Sequence, residues 1–285
     1  MGVKLIALDI DGTVIPPAHY GHDHVPSERL TRAVHGLADA GVHVVLASGR
    51  MFPGTLKISR HFGLATPVIC QQGCSVHLVD GTMTHEFPIE RGIALEICDY
   101  ARQIERAYEW FNPLRYVASA RSASTEQYGV VSGITPEYRP DPENSGIAPT
   151  GVGIISSHEE ANGIHRELVS RHGDMLHVLD FPEVTVAVAQ DANKGHALSL
   201  VCADLGIDRA DVVAIGDSVN DAAMLAWAGR GIAMPHSDAY ALDAADEIFD
   251  DHEDVLAEFL ESLTGGGRLF RAVAPASAAQ RSQVS

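Results

Sequence analysis

Two carboxylates two residues apart, Asp9 and Asp11, close a short apolar run at 3–8 and are followed at once by Gly12 and Thr13. In an extended strand, residues i and i+2 project to the same side, so both acids can address one small volume. A sharp turn at Asp11-Gly12 changes their angle but keeps them close. Two neighbouring like charges repel unless a shared proton or a cation intervenes, and oxygen ligands suit a hard divalent ion, most simply Mg²⁺. The competing explanation is an Asp-Gly turn with no chemistry. Three further stretches weigh against it.

The first is Ser48-Gly49-Arg50, which ends a second apolar run at 42–47. The second is Lys194, placed where a helix opens, and the third is Gly216-Asp217-Ser218-Val219-Asn220-Asp221, after an apolar run at 211–215. Each suits a part in phosphoryl transfer. A carboxylate can attack phosphorus and carry it as an aspartyl phosphate. A second acid beside it can protonate the leaving oxygen and then activate water. A hydroxyl and an ammonium can hold the transferring oxygens as charge develops on them. Further carboxylates at a neighbouring strand end would complete a Mg²⁺ site. Taken singly, Ser48 is a turn or helix cap, Lys194 a solvated lysine, and Asp217 and Asp221 a turn and a helix-start charge. Their order and placement are what is specific.

The elements that must position them follow from periodicity. Ser27 reads as a helix N-cap, Leu30, Ala33, Val34 and Leu37 as one helical face, and Gly41 as the stop. A second helix from near Pro53 to before Gly63 leads to a third strand at 67–70. This β-α-β-α-β succession predicts a parallel sheet, whose ligand crevice lies beyond the carboxyl ends of its strands. Asp9, Asp11 and Ser48 all fall there. From Cys74 the pattern changes to a hairpin about Asp80-Gly81, with strands at 76–79 and 82–87. A long helix over 91–107 follows, with Ile93, Ile97, Tyr100, Ala101, Ile104 and Tyr108 on one side. Residues 119–150, rich in Ser, Pro and Gly, leave their conformation open. A strand at 151–156, a helix at 159–172 and strands at 175–179 and 183–188 complete a separate α+β unit. The parallel pattern then resumes with a helix from Lys194 to Leu205, closed by Gly206, strands at 211–215 and 230–234, and a last helix at 253–263.

The fold class is therefore α/β: a Rossmann-like parallel-sheet core at 1–81 and 189–264, interrupted by an α+β unit at 82–188. Residues 265–285, rich in Gly, Ala and Ser, read as a disordered tail. The chain has 285 residues, 46% of them apolar, which accommodates two ordinary domains. Its formal charge of −18 argues against nucleic acid or an anionic membrane as partner. No run reaches the length of a membrane span, and no signal-peptide h-region is seen. Cys70, Cys74, Cys98 and Cys202 show no CxxC pairing and read as reduced thiols of a cytoplasmic protein. His19, His22 and His24 read as a solvated loop near the site entrance rather than a metal site.

With these motifs in place, the chain resembles the haloacid dehalogenase-like (HAD) hydrolase superfamily, and within it the Cof-type phosphatases with a C2-type (IIB) cap, over residues 1 to about 262. The motifs that carry the resemblance are Asp9-Ile10-Asp11-Gly12-Thr13-Val14, Ala47-Ser48-Gly49-Arg50, Asn193-Lys194-Gly195 and Gly216-Asp217-Ser218-Val219-Asn220-Asp221. The resemblance implies Asp9 as nucleophile and metal ligand, and Asp11 as acid/base that ligates Mg²⁺ through its main-chain carbonyl. It implies Ser48, Gly49 and Lys194 around the phosphoryl group, Asp217 as the third ligand, and Asn220 and Asp221 behind the metal, Asp221 holding a water or Lys194. Arg50 and Gln72 would face the substrate, and 82–188 would be a cap that selects it. Two departures stand out: Gln72-Gly73 where relatives have Asn-Gly, and Pro235-His236-Ser237 where Gly-Asn-Ala is usual.

The function expected is hydrolysis of a small phosphorylated metabolite, a sugar phosphate or similar, by a monomer or homodimer. A phosphomutase of the same superfamily would use the same residues. A catalytically idle phosphate-binding regulator would lack the nucleophile or the lysine, and neither is missing. A dehalogenase is disfavoured, since Asp11 and the metal site would be superfluous.

Overall fold

The computed structural model describes residues 2–19 and 24–265. His22 and all of the expected tail but Gly265 lie outside the described residues, and His24 is exposed.

The first segment runs β1 (Leu5–Leu8), α1 (Glu28–Asp39), β2 (His43–Leu46), α2 (Phe52–His61), β3 (Val68–Cys70), β4 (Ser75–His77) and β5 (Met83–Glu86). The Ser27 side chain accepts the amide hydrogen of Leu30, capping α1 as its sequence predicts. The inserted stretch runs α3 (Arg91–Gln103), β6 (Tyr108–Phe111), β7 (Tyr116–Ala118), α4 (Ala123–Ser132), β8 (Glu137–Tyr138), β9 (Gly151–Ile155), α5 (His158–His172), β10 (Leu176–Phe181) and β11 (Val184–Ala189). The chain closes with α6 (Lys194–Leu205), β12 (Val212–Gly216), α7 (Ala222–Trp227), β13 (Arg230–Ala233), α8 (Ala239–Ala244), β14 (Glu247–Ile248) and α9 (Val255–Leu263).

A five-stranded parallel sheet, ordered β14-β13-β12-β1-β2, forms the core. β1 lies inside the sheet, between β12 and β2, with both faces covered, which is why residues 5–8 are uninterrupted apolar. Leu5 and Ala7 pack with Leu198, Val201 and Met224 on one side. Ile6 and Leu8 pack with Val34, Leu37 and Phe259 on the other.

β3 departs from expectation. It meets β2 through the single parallel bridge Ala47–Ile69 and pairs along its length with antiparallel β4, in a separate β3-β4-β5 sheet. The cause is local. Gln71 and Gln72 both have positive φ, 49° and 64°, and reverse the chain directly after Cys70. β5 remains paired to β4, so the boundary expected at 81/82 falls within this sheet.

The inserted unit is built on a six-stranded sheet ordered β10-β11-β9-β6-β7-β8. The expected helix over 91–107 ends at Gln103, and Glu105 takes a left-handed conformation (φ 56°). Tyr108, expected on that helix, instead opens β6. Residues 119–150 contain α4 and β8. One face of the sheet buries Tyr108, Trp110, Val152 and Ile154 against Ile97, Ala101 and Leu168 of α3 and α5. The other, with Phe111, Tyr116, Val186 and Val188, packs with Met51 and Cys74 of the first segment.

Candidate active site

The motifs meet at one edge of the parallel sheet because each ends a strand or opens a helix there. Asp9 follows β1, its amide donating to the Ile215 carbonyl at 3.0 Å. The chain then turns tightly, the Ile15 amide donating to the Ile10 carbonyl at 2.7 Å. Gly12 has φ 102°, and a Cβ there would collide with the Asp217 carboxylate, so glycine is required on two counts. Gly73 and Gly195 likewise permit contact, of the Gln72 turn with the Asn193-Lys194 backbone and of α6 with α7.

Lys194 is fully buried at the first position of α6. Its Nζ donates to Asp9 Oδ1 and to Asp221 Oδ1, each at 2.6 Å. Asp221 Oδ2 accepts the amides of Asp217 and Ser218 at 3.0 and 3.1 Å, which folds the Gly216–Asp221 loop around its carboxylate. Burial lowers the basicity of the Lys194 ammonium, but the adjoining charges of Asp221 and Asp9 outweigh it and leave the pKa above the ordinary lysine value. For Asp9, burial and then the Asp221 charge push the carboxyl up, against the pull of Lys194.

Asp9, Asp217 and Asp221 each offer a carboxylate oxygen within 4.8 Å of one another. Asp9 Oδ2 is buried and, among the described residues, accepts no hydrogen bond. A buried carboxylate oxygen without a donor is costly, and an oxygen-only cluster of this kind fits a hard divalent cation. Because Lys194 and two amides already occupy both Asp221 oxygens, Asp9 and Asp217 are the members better placed to hold it.

Asp11 turns elsewhere. Arg50, itself buried, grips both its oxygens, Nε to Oδ2 at 2.7 Å and Nη2 to Oδ1 at 2.6 Å. The guanidinium expected to face substrate is thus engaged by the second acid. Ser48 is buried, and its Oγ accepts the Arg50 amide at 3.1 Å. Gln72 lies over Gly49, its amide donating to the Ser48 carbonyl at 3.1 Å, and its side chain accepts from Asn220. His236 Nε2 is 2.9 Å from the Gly12 carbonyl, which can only accept, and 3.8 Å from Asp217 Oδ2. Both departures from the family pattern therefore border the site.

A cleft of about 590 Å³ opens over Asp9, Asp11, Asp217 and Asn220, roofed by Gln127, Val131 and Phe181 of the inserted unit. It continues into a second chamber of about 510 Å³. Several of its residues escaped sequence reasoning. Tyr128 donates to the Gly49 carbonyl at 3.2 Å. Gln71 spans the two sheets, donating to the Asn112 carbonyl at 2.8 Å and accepting from Thr150 at 3.2 Å. Glu109, one acid in Tyr-Glu-Trp-Phe, is buried against Tyr116. Only Glu109 carried a signal, as a charge inside an aromatic strand.

Residues 6–260 match the model of the haloacid dehalogenase-like hydrolases, so the chain belongs to that family. A putative phosphatase YxeH of Bacillus subtilis is 26% identical over 85% of this chain and 91% of its own length. An HMP-PP phosphatase of Cronobacter sakazakii is 25% identical over 81% of this chain and 84% of its own length. The crystal structure of a haloacid dehalogenase-like hydrolase from Bacteroides thetaiotaomicron superposes with a TM-score of 0.78 at 22% identity, covering 92% and 99% of the two chains. The chain is a hydrolase of this family, and these curated relatives are phosphatases.

Proposed function

We propose that the protein is a Mg²⁺-dependent phosphatase that hydrolyses a small phosphorylated metabolite through an aspartyl phosphate on Asp9. The observation that carries this reading is the Asp9 carboxylate: one oxygen is fixed by Lys194, the other is buried without a donor among the described residues, and the cleft opens above it. Asp9 attacks phosphorus and the ester oxygen leaves with a proton from Asp11. Water then gives one of its own protons to Asp11 as its oxygen displaces Asp9 from phosphorus. Arg50 orients Asp11 for both half-reactions, one oxygen exchanging Arg50 for the leaving group. Ser48, Gly49 and Lys194 surround the transferring oxygens. A Mg²⁺ held by Asp9, Asp217 and the Asp11 carbonyl would supply charge neutralisation at the phosphoryl group. Asn220 and Asp221 support that site from behind, and Gln72 borders the substrate.

The inserted unit acts as the cap in this reading, beginning after β5 and ending near Ala189. A phosphomutase would have to seat a second phosphate beside Glu109, Asp180 and Glu183, which line the chambers from the cap side. Four buried, unbridged cysteines suit a reducing cytoplasm. Among the described residues, no helix is long and apolar enough to cross a membrane. Chelation should abolish phosphate release and Mg²⁺ should restore it; full turnover in EDTA would remove the metal from this scheme. A chiral phosphate ester should be hydrolysed with net retention at phosphorus, since two in-line displacements each invert it. Inversion would exclude Asp9 as nucleophile.

A further inference from the structure

The second chamber contains a carboxylate that phosphoryl transfer does not use. Glu109 lies mid-strand in β6, opposite Gly153 of β9, and a Cβ on Gly153 would collide with its side chain. The glycine therefore lets this acid fold down into the sheet face. It is 8% exposed, its Oε2 accepts from the Tyr116 hydroxyl, and among the described residues its Oε1 receives no donor. Phe111, Phe181 and Val186 form apolar walls beside it. Glu183 also lines this chamber, and Asp180 lines the adjoining cleft. Among the described residues lining the two chambers, Arg50 is the one arginine or lysine, and Asp11 already holds it.

We propose that Glu109, oriented by Tyr116, binds a cationic nitrogen on the leaving group, so that the substrate is the phosphate ester of an amine-bearing alcohol with a flat or compact apolar body. This rests on the phosphatase reading and specifies which esters that site accepts. The free carboxylate oxygen opens on the chamber, where a ligand can donate to it, and a chamber of this polarity repels a second anion while attracting an ammonium. Burial pushes the Glu109 carboxyl up to about 7, against the Tyr116 hydrogen bond. An incoming cation would restore its charge. A neutral polyol, such as a sugar, could donate to Glu109 but would leave the acidic lining uncompensated.

The test compares phosphate release, with Mg²⁺, within two pairs of esters that differ by an ammonium in place of a hydroxyl. The pairs are pyridoxamine phosphate against pyridoxine phosphate, and ethanolamine phosphate against ethylene glycol monophosphate. For the wild-type protein, kcat/KM should favour the amine by at least about tenfold in at least one pair, the scale of a hydrogen bond to a charged group. Glu109→Gln should bring that ratio close to one, and Tyr116→Phe should reduce it part-way. Each ratio is taken within one preparation, so losses of folded protein or of the chemical step cancel. A wild-type ratio of one or less in both pairs overturns the proposal whatever the variants do. A preference that survives in Glu109→Gln also overturns it, by placing selectivity elsewhere. Hydrolysis of p-nitrophenyl phosphate by the wild-type protein tests the phosphatase reading separately: turnover there without amine preference removes only the Glu109 assignment.

Discussion

The two large sheets handle charge in opposite ways. At the carboxyl ends of the parallel core strands the charged groups of the site are buried and mutually dependent: Lys194 is fully enclosed between Asp9 and Asp221. Around the largely antiparallel sheet of the inserted unit, pairs such as Arg115–Glu137 and Arg106–Glu160 lie at the solvent-exposed rim. Two carboxylates of the unit are buried instead: Glu143, held by Arg102 and Tyr108, and Glu109, on the sheet face that looks toward the core. The difference follows from sheet type. A parallel sheet covered on both faces can present polar groups only at its edges, whereas an antiparallel sheet with one face turned to a cleft can place them mid-strand. Strand ends bring together groups from segments far apart in sequence, which suits reaction. A sheet face offers a broad wall, which suits recognition.

Removing the centre of the core network should have the largest effect. Lys194→Met leaves Asp9 and Asp221 buried without their cation, and breaking a buried pair in this way costs about 3–5 kcal/mol. The urea midpoint of the metal-free protein should fall accordingly, with turnover lost by on the order of 10³-fold. An unchanged midpoint would mean that the core charges are no more interdependent than the rim pairs.

Gly12→Ala comes next. Its Cβ collides with Asp217 at a φ where side chains are strained, so stability should drop by roughly 1–3 kcal/mol. Displacing a supported ligand should raise the Mg²⁺ needed for half-maximal activity by about 10–100-fold. A Mg²⁺ titration that overlays the wild type would separate Asp217 from the metal.

Glu109 sharpens the comparison from the other sheet. Its folded pKa is raised from 4.5 to about 7, chiefly by burial. The folded state therefore holds the extra proton between those values, and the residue's contribution to stability declines as pH rises through that window. Glu109→Gln carries no such titration. Relative to wild type it should gain on the order of 1–3 kcal/mol between pH 4.5 and about 7, read from paired unfolding curves. Parallel curves would show that Glu109 is ionised without penalty, like a rim acid.

The smallest effect is expected at the rim itself. Arg115→Ala breaks an exposed pair that water already screens, and should leave both the midpoint and its salt dependence unaltered. A clear loss would mean that the rim pairs hold the unit together.

What the sequence determined by itself was local. Asp9 to Thr13, Ser48 to Arg50, Asn193 to Gly195 and Gly216 to Asp221 are each a strand end or helix start followed by turn chemistry. Such signals lie within a few residues, and the parallel order of the strands then brings them to one edge. Helix α6 could be bounded from Lys194 and Gly206 alone for the same reason. Tertiary structure decided the rest. Arg50 meets Asp11 across 39 residues, and Gln72 meets Asn220 across 148, contacts that no local spacing encodes. β3 reads as another parallel strand until the turn at Gln71 and Gln72 sends it into a separate sheet. In β6, alternation predicts that Glu109 and Phe111 share a face, but not whether that face is solvent or cleft. The packing of the opposite face on α3 and α5 settles it, because a strand's two faces become distinct only when a second layer covers one of them.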